Sequence, residues 1–493
     1  MLKILGSPKR MCSGVTRRDL LEVGGASLLG LSAAGSAFGR ESDTPVAGKR
    51  GFGKAKNCIL LFLYGGASQL DTFDPKPEAT SEIRGPFGSI ASAVPGARLS
   101  ECLPGVASKL DKVSLIRSLS HPYPIHGVAY AVTGRAHVNI PMELNRKDNR
   151  HWPYFGSVLD YLERNENAFG LPAIPRTVHL PWDQSSRSAP HKRAGLLSGF
   201  LDPSVNPTVL EFEGKAVGQK TYRPNDPYGG ITPQSGFRFA STELPRGLTL
   251  DRLHKRQRLL TQFDQQIAHL SRRTTSRSMD RFREMAMAMV DSKALRNALD
   301  LSKESKATRE KYGYHLFGQS TLLARRMIEA GTRVVSVFWD EFGRSCGAWD
   351  THEKLTQRIR NELCPGFDQS FVALMDDLEQ RGMLDETLVL VMTEHGRTPK
   401  AERRNNLSDG RNHWSKNYCN MMAGAGVSEG LVLGSSNRQG TDVEDRRITP
   451  KDVLKTIYHL MGVDAERTIP DRSGRPLPLV EEGKVIPEVL ASK

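Results

Sequence analysis

Apolar positions along the chain gather into short runs that end abruptly at polar, glycine-containing turns. Residues 57–64, NCILLFLY, form the first such run and read as a buried strand. Residues 112–119, 175–180, the β-branched 332–339, 388–392 and 418–423 repeat the pattern. Runs that are apolar on both faces suit the inner strands of a parallel sheet. Between them, apolar residues recur three and four apart, which predicts helices over 154–163, 251–272, 278–304, 319–330 and 353–381. Gly331 follows the fourth as a C-cap. Thr449-Pro450-Lys451-Asp452 starts a last helix, with proline at its first position. A further helix can begin near His126, once the prolines before it are passed. Strands alternating with helices predict an α/β fold. One domain over 57–480 is expected, with an irregular, Pro- and Gly-rich insertion at about 203–250, a helical insertion at about 251–304 and a tail at 481–493.

The N-terminus has a different pattern. Lys3, Lys9 and Arg10 lead into Thr16-Arg17-Arg18-Asp19-Leu20-Leu21, a mildly apolar run over 23–34, and then Gly35-Ser36-Ala37. A twin arginine before two apolar residues is the address of the twin-arginine translocase. Residues 1–37 are therefore expected to be an export signal and 38–56 a linker, which places the mature protein in the periplasm or at the cell surface. The run is too short and glycine-rich for a stable membrane span.

Composition narrows the function. The formal charge of +14 raises the question of nucleic acid. The basic residues are interleaved with acids, however, and the densest group, 252–283, has the spacing of a solvated helix face. No nucleic-acid partner is expected. Cys12, Cys58, Cys102, Cys346, Cys364 and Cys419 include no CxxC pair, so neither a zinc ribbon nor a disulfide framework is expected.

The chemistry lies just past the strands. In open α/β sheets, ligands bind beyond the carboxyl ends. Four polar clusters fall there: Asp71 with Asp74, Asp350 with His352, Glu394 with His395, and His413. A lone histidine is commonly a satisfied loop or core residue, so only the set of four points to a site. Carboxylate and imidazole donors suit Zn²⁺ or Mn²⁺, with Ca²⁺ or Mg²⁺ as alternatives. Two such ions roughly 4 Å apart can clamp the attacking and leaving oxygens of a phosphoryl-type transfer.

These residues resemble the alkaline phosphatase and sulfatase superfamily in their order: a first-strand Asp, then Asp-x-His, then Glu-His-Gly at a strand end, then a late His. More closely, the chain resembles the bacterial family called domain of unknown function 1501. The matching stretches are LLFLYGGASQLDTFDPKP, Ile83-Arg84-Gly85-Pro86-Phe87, DTH at 350, TEHGRTP at 393, GRNHW at 410 and the closing TPKDVLKTIYHLMGV. The resemblance implies a three-layer α/β/α fold with a central, mostly parallel sheet, one or two divalent metals, and cleavage of phosphate or sulfate esters. Carried over by position, Asp350, His352 and His413 would hold one ion, and Asp71, Glu394 and His395 the other.

The chain departs from the superfamily pattern in three places. Gly65-Gly66 stand where the first Asp usually follows its strand, so Asp71 must fold back to serve. Asp350 and His352 are closer in sequence than in typical phosphatases. Thr133-Gly134-Arg135 is kept, but Pro124 stands in the sulfatase nucleophile's place, which disfavours formylglycine chemistry. Ser120, Thr72 or an activated water remain as nucleophiles. His126 and His121 are candidates for acid/base work or ligation. Arg397, Arg135 and Lys76 are candidates for holding anionic substrate oxygens. The expected function is an exported, metal-dependent hydrolase acting on an anionic ester, either a small molecule or a sulfated or phosphorylated polymer. The alternative is a catalytically degenerate member that serves as a binding or structural component of an exported or surface complex.

Overall fold

The computed structural model describes residues 49–123, 126–135, 140–166, 173–181, 193–214, 231–239, 286–289, 291–339, 348–404 and 408–492. The expected signal segment, most of the linker and the helix at 251–272 lie outside the described residues. So do Pro124 and the residues 340–347 that follow the sixth strand.

Nine strands form the central sheet among the described residues. They are β1 (Asn57–Phe62), β2 (Val113–Leu119), β3 (Thr177–Leu180), β4 (Thr208–Glu213), β5 (Gly236–Phe239), β6 (Val334–Phe338), β7 (Thr387–Met392), β8 (Tyr418–Ala423) and β9 (Leu431–Leu433). Their order is β9-β2-β8-β7-β1-β6-β3-β4-β5. β1 lies between β6 and β7 and is parallel to both, with Phe62 level with Phe338 and Met392. Only β8 and β5 run against the rest, each antiparallel to its neighbours. The mixed, mostly parallel sheet expected from the sequence is therefore present. Every residue of β7 is buried, as is nearly all of β1. Burial of each such aliphatic side chain contributes about 1.5–3 kcal/mol.

The main helices are α1 (Val128–Thr133), α2 (Phe155–Glu166), α3 (Lys293–Leu299), α4 (Leu316–Glu329), α5 (Cys364–Gln380) and α6 (Pro450–Leu460). Alternate residues of a strand face opposite sides. Tyr154, just before α2, bonds Ser336 of β6 through its hydroxyl at 2.7 Å. Phe317 of α4 packs on Trp339, at the end of the same strand and of opposite parity. Helices thus flank both faces of the sheet, in an α/β/α arrangement. α6 begins with a full capping box between Thr449 and Asp452.

Several expectations are corrected. The stretch at 203–250 is not wholly irregular, because β4 and β5 extend the sheet there and bury Leu210, Phe212, Phe237 and Phe239. The helix expected over 278–304 is broken within its described part. Ser292 caps α3, and Asp300 ends it and caps a 3₁₀ turn. Side chains that bond nearby backbone N–H groups compete with a continuing helix. The helix expected over 353–381 begins at Leu355 and passes through a π turn, Ile359–Leu363, into α5. Pro365 supplies no N–H and its ring crowds the carbonyl four residues back, so the ladder widens there. The folded unit starts at Arg50 rather than 57. The expected tail is packed, since Ile486, Val489 and Leu490 are buried and the Ala491 N–H donates to Gly426.

Candidate metal centre

β1 and β7 end side by side, and the turn after each builds the site. Gly65 and Gly66 adopt φ of +103° and +86°, a region costly for residues with a Cβ. A Cβ on Gly65 would lie 2.4 Å from the Asp350 nitrogen, and one on Gly66 would lie 2.3 Å from His395 Nδ1. The double glycine therefore lets Asp350 and His395 close over the end of β1. The Gly65 N–H also donates to Glu394 Oε1 at 2.8 Å. On the other side, Gly396-Arg397 pairs antiparallel with His413-Trp414, which brings His413 back to the end of β7.

Two overlapping donor groups result. Asp350, His352 and His413 form one, and His126, His395 and His413 the other, with the donor atoms of each group within 4.8 Å of one another. His352 Nε2 lies 3.1 Å from both Asp350 Oδ1 and His413 Nε2. His413 Nε2 is 3.2 Å from Asp350 Oδ1, and His126 Nε2 is 3.4 Å from Asp350 Oδ2. Three of the imidazoles have Nδ1 held by a protein acceptor: His126 by Glu394 Oε1 at 3.0 Å, His352 by Asn412 Oδ1 at 2.9 Å, and His395 by the Gly396 carbonyl at 2.8 Å. Such anchoring fixes the tautomer and leaves Nε2 as the ligand atom. A carbonyl only accepts, so His395 carries its proton on Nδ1 and a lone pair on Nε2. That Nε2 is buried and has no hydrogen-bond partner. A buried acceptor left unsatisfied costs about 1–3 kcal/mol. A divalent cation would satisfy it, so the residues present fit a metal.

The electrostatics agree. Burial alone would raise the Asp350 pKa, but the Arg397 guanidinium, with the imidazoles of His126, His352 and His413 beside it, holds it well below the usual carboxylate range. Burial, aided by the neighbouring positive groups, keeps His395 well below the usual imidazole range, and burial also lowers His413. Both are therefore neutral near pH 7, as ligation requires. Burial would lower His126 as well, but its bonds to Asp350 and Glu394 outweigh this and raise it to about 9, so without an ion it is protonated and ligation through it would release that proton.

The structure thus brings together Asp350, His352, His395 and His413 from the expected ligand set and adds His126. Asp71 stands apart. Its carboxylate is fully buried and bonded to Arg411 Nε at 2.8 Å and to the Ser68 hydroxyl. Its charge is already matched, which is why it does not fold back to an ion. Asp74 is likewise engaged, by Lys76 at 3.1 Å and Ser436 at 2.5 Å. Glu394 lies beside the cluster and acts through His126. His121 also departs from expectation. Its Nδ1 accepts from the Tyr123 N–H at 3.2 Å, and Nε2 meets the Glu394 carbonyl at 2.8 Å, so both nitrogens brace the backbone.

Arg397, expected to face substrate, is fully buried and donates to the Gly66 carbonyl at 3.0 Å, the Arg411 carbonyl at 3.1 Å, the Gly65 carbonyl and Asp350. It clamps the glycine turn to Asp350. Arg135 pairs with Glu481 and lies over the Trp152 ring. The Ser120 hydroxyl accepts from Arg447 at 2.6 Å, and the Thr72 hydroxyl donates to the Ser68 carbonyl at 2.6 Å. Sequence reasoning missed Gln69, whose amide grips the Arg397 backbone N–H at 2.9 Å and C=O at 3.0 Å. It also missed Asn412 and Arg411, although both sit in the GRNHW stretch.

Comparisons with known proteins give the following. No curated protein sequence matches the chain. Among solved structures, Ps i-CgsB in complex with k-i-k-neocarrahexaose is similar at 12% identity and a TM-score of 0.39, covering 83% of this chain and 72% of that one. The PsFucS1 sulfatase from Pseudoalteromonas sp. is similar at 11% identity and a TM-score of 0.37, covering 90% and 72%. A protein in the alkaline phosphatase superfamily from Vibrio parahaemolyticus is similar at 11% identity and a TM-score of 0.37, covering 90% and 76%. The family described as "Protein of unknown function (DUF1501)" matches residues 55–490, and the chain belongs to that family.

Proposed function

We propose that this protein is an exported, metal-dependent hydrolase of phosphate or sulfate esters. The observation that carries the reading is the buried, unpartnered Nε2 of His395, grouped with His126 and His413, the last of which it shares with Asp350 and His352. Asp350, His352 and His413 would hold one ion, and His126 and His395 would complete the site on its other side. A divalent ion there supplies Lewis acidity, polarising an anionic ester and activating water near neutral pH. The chain's own groups do the rest. Glu394 keeps His126 turned inward, and Arg397 ties Asp350 to the glycine turn. Zn²⁺ suits the imidazole-rich donor set better than Ca²⁺ or Mg²⁺, with Mn²⁺ as the alternative where carboxylate and water oxygens complete the sphere. Export rests on the twin-arginine segment. No helix among the described residues is long and apolar enough to cross a membrane.

The binding-component reading has one observation in its favour: the hydroxyls of Ser120 and Thr72 bond to groups outside both donor clusters. A single experiment separates the two readings. Purified mature protein is analysed for bound metal and assayed against aryl phosphate, phosphodiester and sulfate esters with Zn²⁺, Mn²⁺ or Ca²⁺, beside His395→Ala. Hydrolysis of at least one ester class, lost at least a hundredfold in the variant, is expected. Metal-loaded wild type and His395→Ala that are equally inert across the panel would leave the binding role.

A further inference from the structure

His352 is partly exposed, and its Nδ1 is held by a side chain rather than by a backbone carbonyl of the kind that holds His395. Its Nδ1 meets Asn412 Oδ1 at 2.9 Å, and Asn412 Nδ2 donates to Glu402 Oε2 at 2.6 Å. We propose that Glu402 and Asn412 form a two-residue relay that sets the tautomer of His352 and so makes it a metal ligand.

Proton counting fixes the direction of each bond. An ionised carboxylate only accepts hydrogen bonds. Glu402 therefore demands an N–H from Asn412, which turns the amide nitrogen toward Glu402 and the amide oxygen toward His352. An amide oxygen also only accepts, so His352 must present N–H at Nδ1. The neutral ring then has its lone pair on Nε2, which faces the acceptor Asp350 Oδ1 and His413 Nε2 at 3.1 Å each, so lone pairs converge where a cation would sit. Reversal of any one link would reverse the next. The Asn412 backbone is itself held in place. Its N–H donates to the Thr398 hydroxyl at 3.0 Å, and its carbonyl accepts from the Thr398 N–H at 2.8 Å. The amide thus has few ways to turn. Asn412 and Glu402 touch no reacting atom, so both are positioning residues.

This inference rests on the metal-centre reading above, and its test is chosen to tell the two apart. Full-length mature protein, metal-free and then titrated with Zn²⁺ or Mn²⁺ against a competing chelator, gives an affinity without reference to turnover. Loss of an outer partner of a metal ligand typically weakens binding about 10–100-fold. Asn412→Leu is expected to fall in that range and Glu402→Gln to lose less, because a glutamine oxygen can still accept. Asn412→Asp keeps an acceptor and is expected to bind within a few-fold of wild type. Long-range ¹H–¹⁵N spectra of histidine-labelled, metal-free protein supply a second readout. His352 is expected as the Nδ1–H tautomer in wild type and Asn412→Asp, and as a mixture in Asn412→Leu. A wild type that binds no divalent ion would sink the metal-centre reading. A wild type that binds while Asn412→Leu binds equally well with an unchanged tautomer would overturn the relay alone.

Discussion

Asp71 and Asp350 are both carboxylates held beyond the ends of parallel strands, each gripped by a buried arginine, yet they serve different ends. Around Asp71 every charge is answered. Arg411 bonds it through Nε at 2.8 Å, and its other N–H groups go to the carbonyls of Ile83, Thr398 and Pro399. Around Asp350 acceptors outnumber protons. Arg397 is shared with backbone carbonyls, three imidazoles crowd the same carboxylate, and His395 Nε2 has nothing to bond. A matched acid braces the fold, whereas a surplus of lone pairs invites a cation. Residue types alone do not distinguish these cases, since the sequence treats both aspartates as ligands.

The sharpest break of that contrast is Arg411→Met. Removing one partner of a buried ion pair leaves the other charge uncompensated, at about 3–5 kcal/mol. Urea denaturation should show a loss of that size, while the protein that still folds keeps wild-type metal content. A loss below about 1 kcal/mol would mean that the Asp71–Arg411 pair is no brace.

Metal addition tests the other side. Ligand at a hundred times its Kd stabilises a native state by about 2.7 kcal/mol. Metal-free wild type should gain that much in thermal or urea unfolding when Zn²⁺ or Mn²⁺ is added. His395→Ala should gain little, and the difference in gain is the readout, because truncation also leaves the Gly396 carbonyl without its donor and opens a cavity. An equal gain in both proteins would place the ion elsewhere.

How much of this was legible in the sequence depended on the range of the interaction. Strands β1, β6, β7 and β8 and the capped helix α6 were readable because apolar runs and cap residues are local signals. Asp350, His352, His395 and His413 were readable because chemistry-bearing types stood at strand ends. The partner of Asp71 was not, since Arg411 lies 340 positions away. Nor was the fate of Arg397, whose acceptors are mainly backbone carbonyls that any sequence would supply. β4 and β5 were hidden by the polar, proline-rich residues around them. The alternation of Leu210 with Phe212 and of Phe237 with Phe239 was the available sign. His126 could be nominated but not given a role, because its partners Asp350 and Glu394 come from two distant turns.

A third buried imidazole provides a control for His395. His315 is fully committed: its Nδ1 accepts from the Gly318 N–H at 3.1 Å, capping α4, and Nε2 faces the Ser370 hydroxyl at 3.4 Å. Burial pushes its pKa down to about 3. In the unfolded chain the group titrates near 6.5. Between those values the unfolded state binds the extra proton, so this contribution is complete above about pH 6.5 and is lost as the pH falls toward 3. At pH 5 the loss is about 2 kcal/mol. Denaturation midpoints at pH 7.5 and 5.0 should show a drop to which His395 and His413 also contribute, and His315→Gln should make it smaller by about 2 kcal/mol. A variant with the same slope as wild type would assign the acid sensitivity to other groups.

The smallest expected effect bears most directly on whether the two aspartate clusters are independent. The Ser68 hydroxyl donates to the same oxygen of Asp71 that Arg411 Nε bonds. Ser68→Ala removes that donor but leaves the guanidinium, so Asp71 remains paired. A net cost of about 1 kcal/mol is expected, the usual contribution of a single hydrogen bond. Metal affinity should not move. Links between the clusters include the Arg411 carbonyl, which accepts from Arg397, the adjoining Asn412 and His413, and the Gln69 amide on the Arg397 backbone. If Ser68→Ala shifted metal affinity as well as stability, Asp71 would be setting the position of the GRNHW turn and, through it, the geometry at His413. The matched acid would then belong to the site as its outer support.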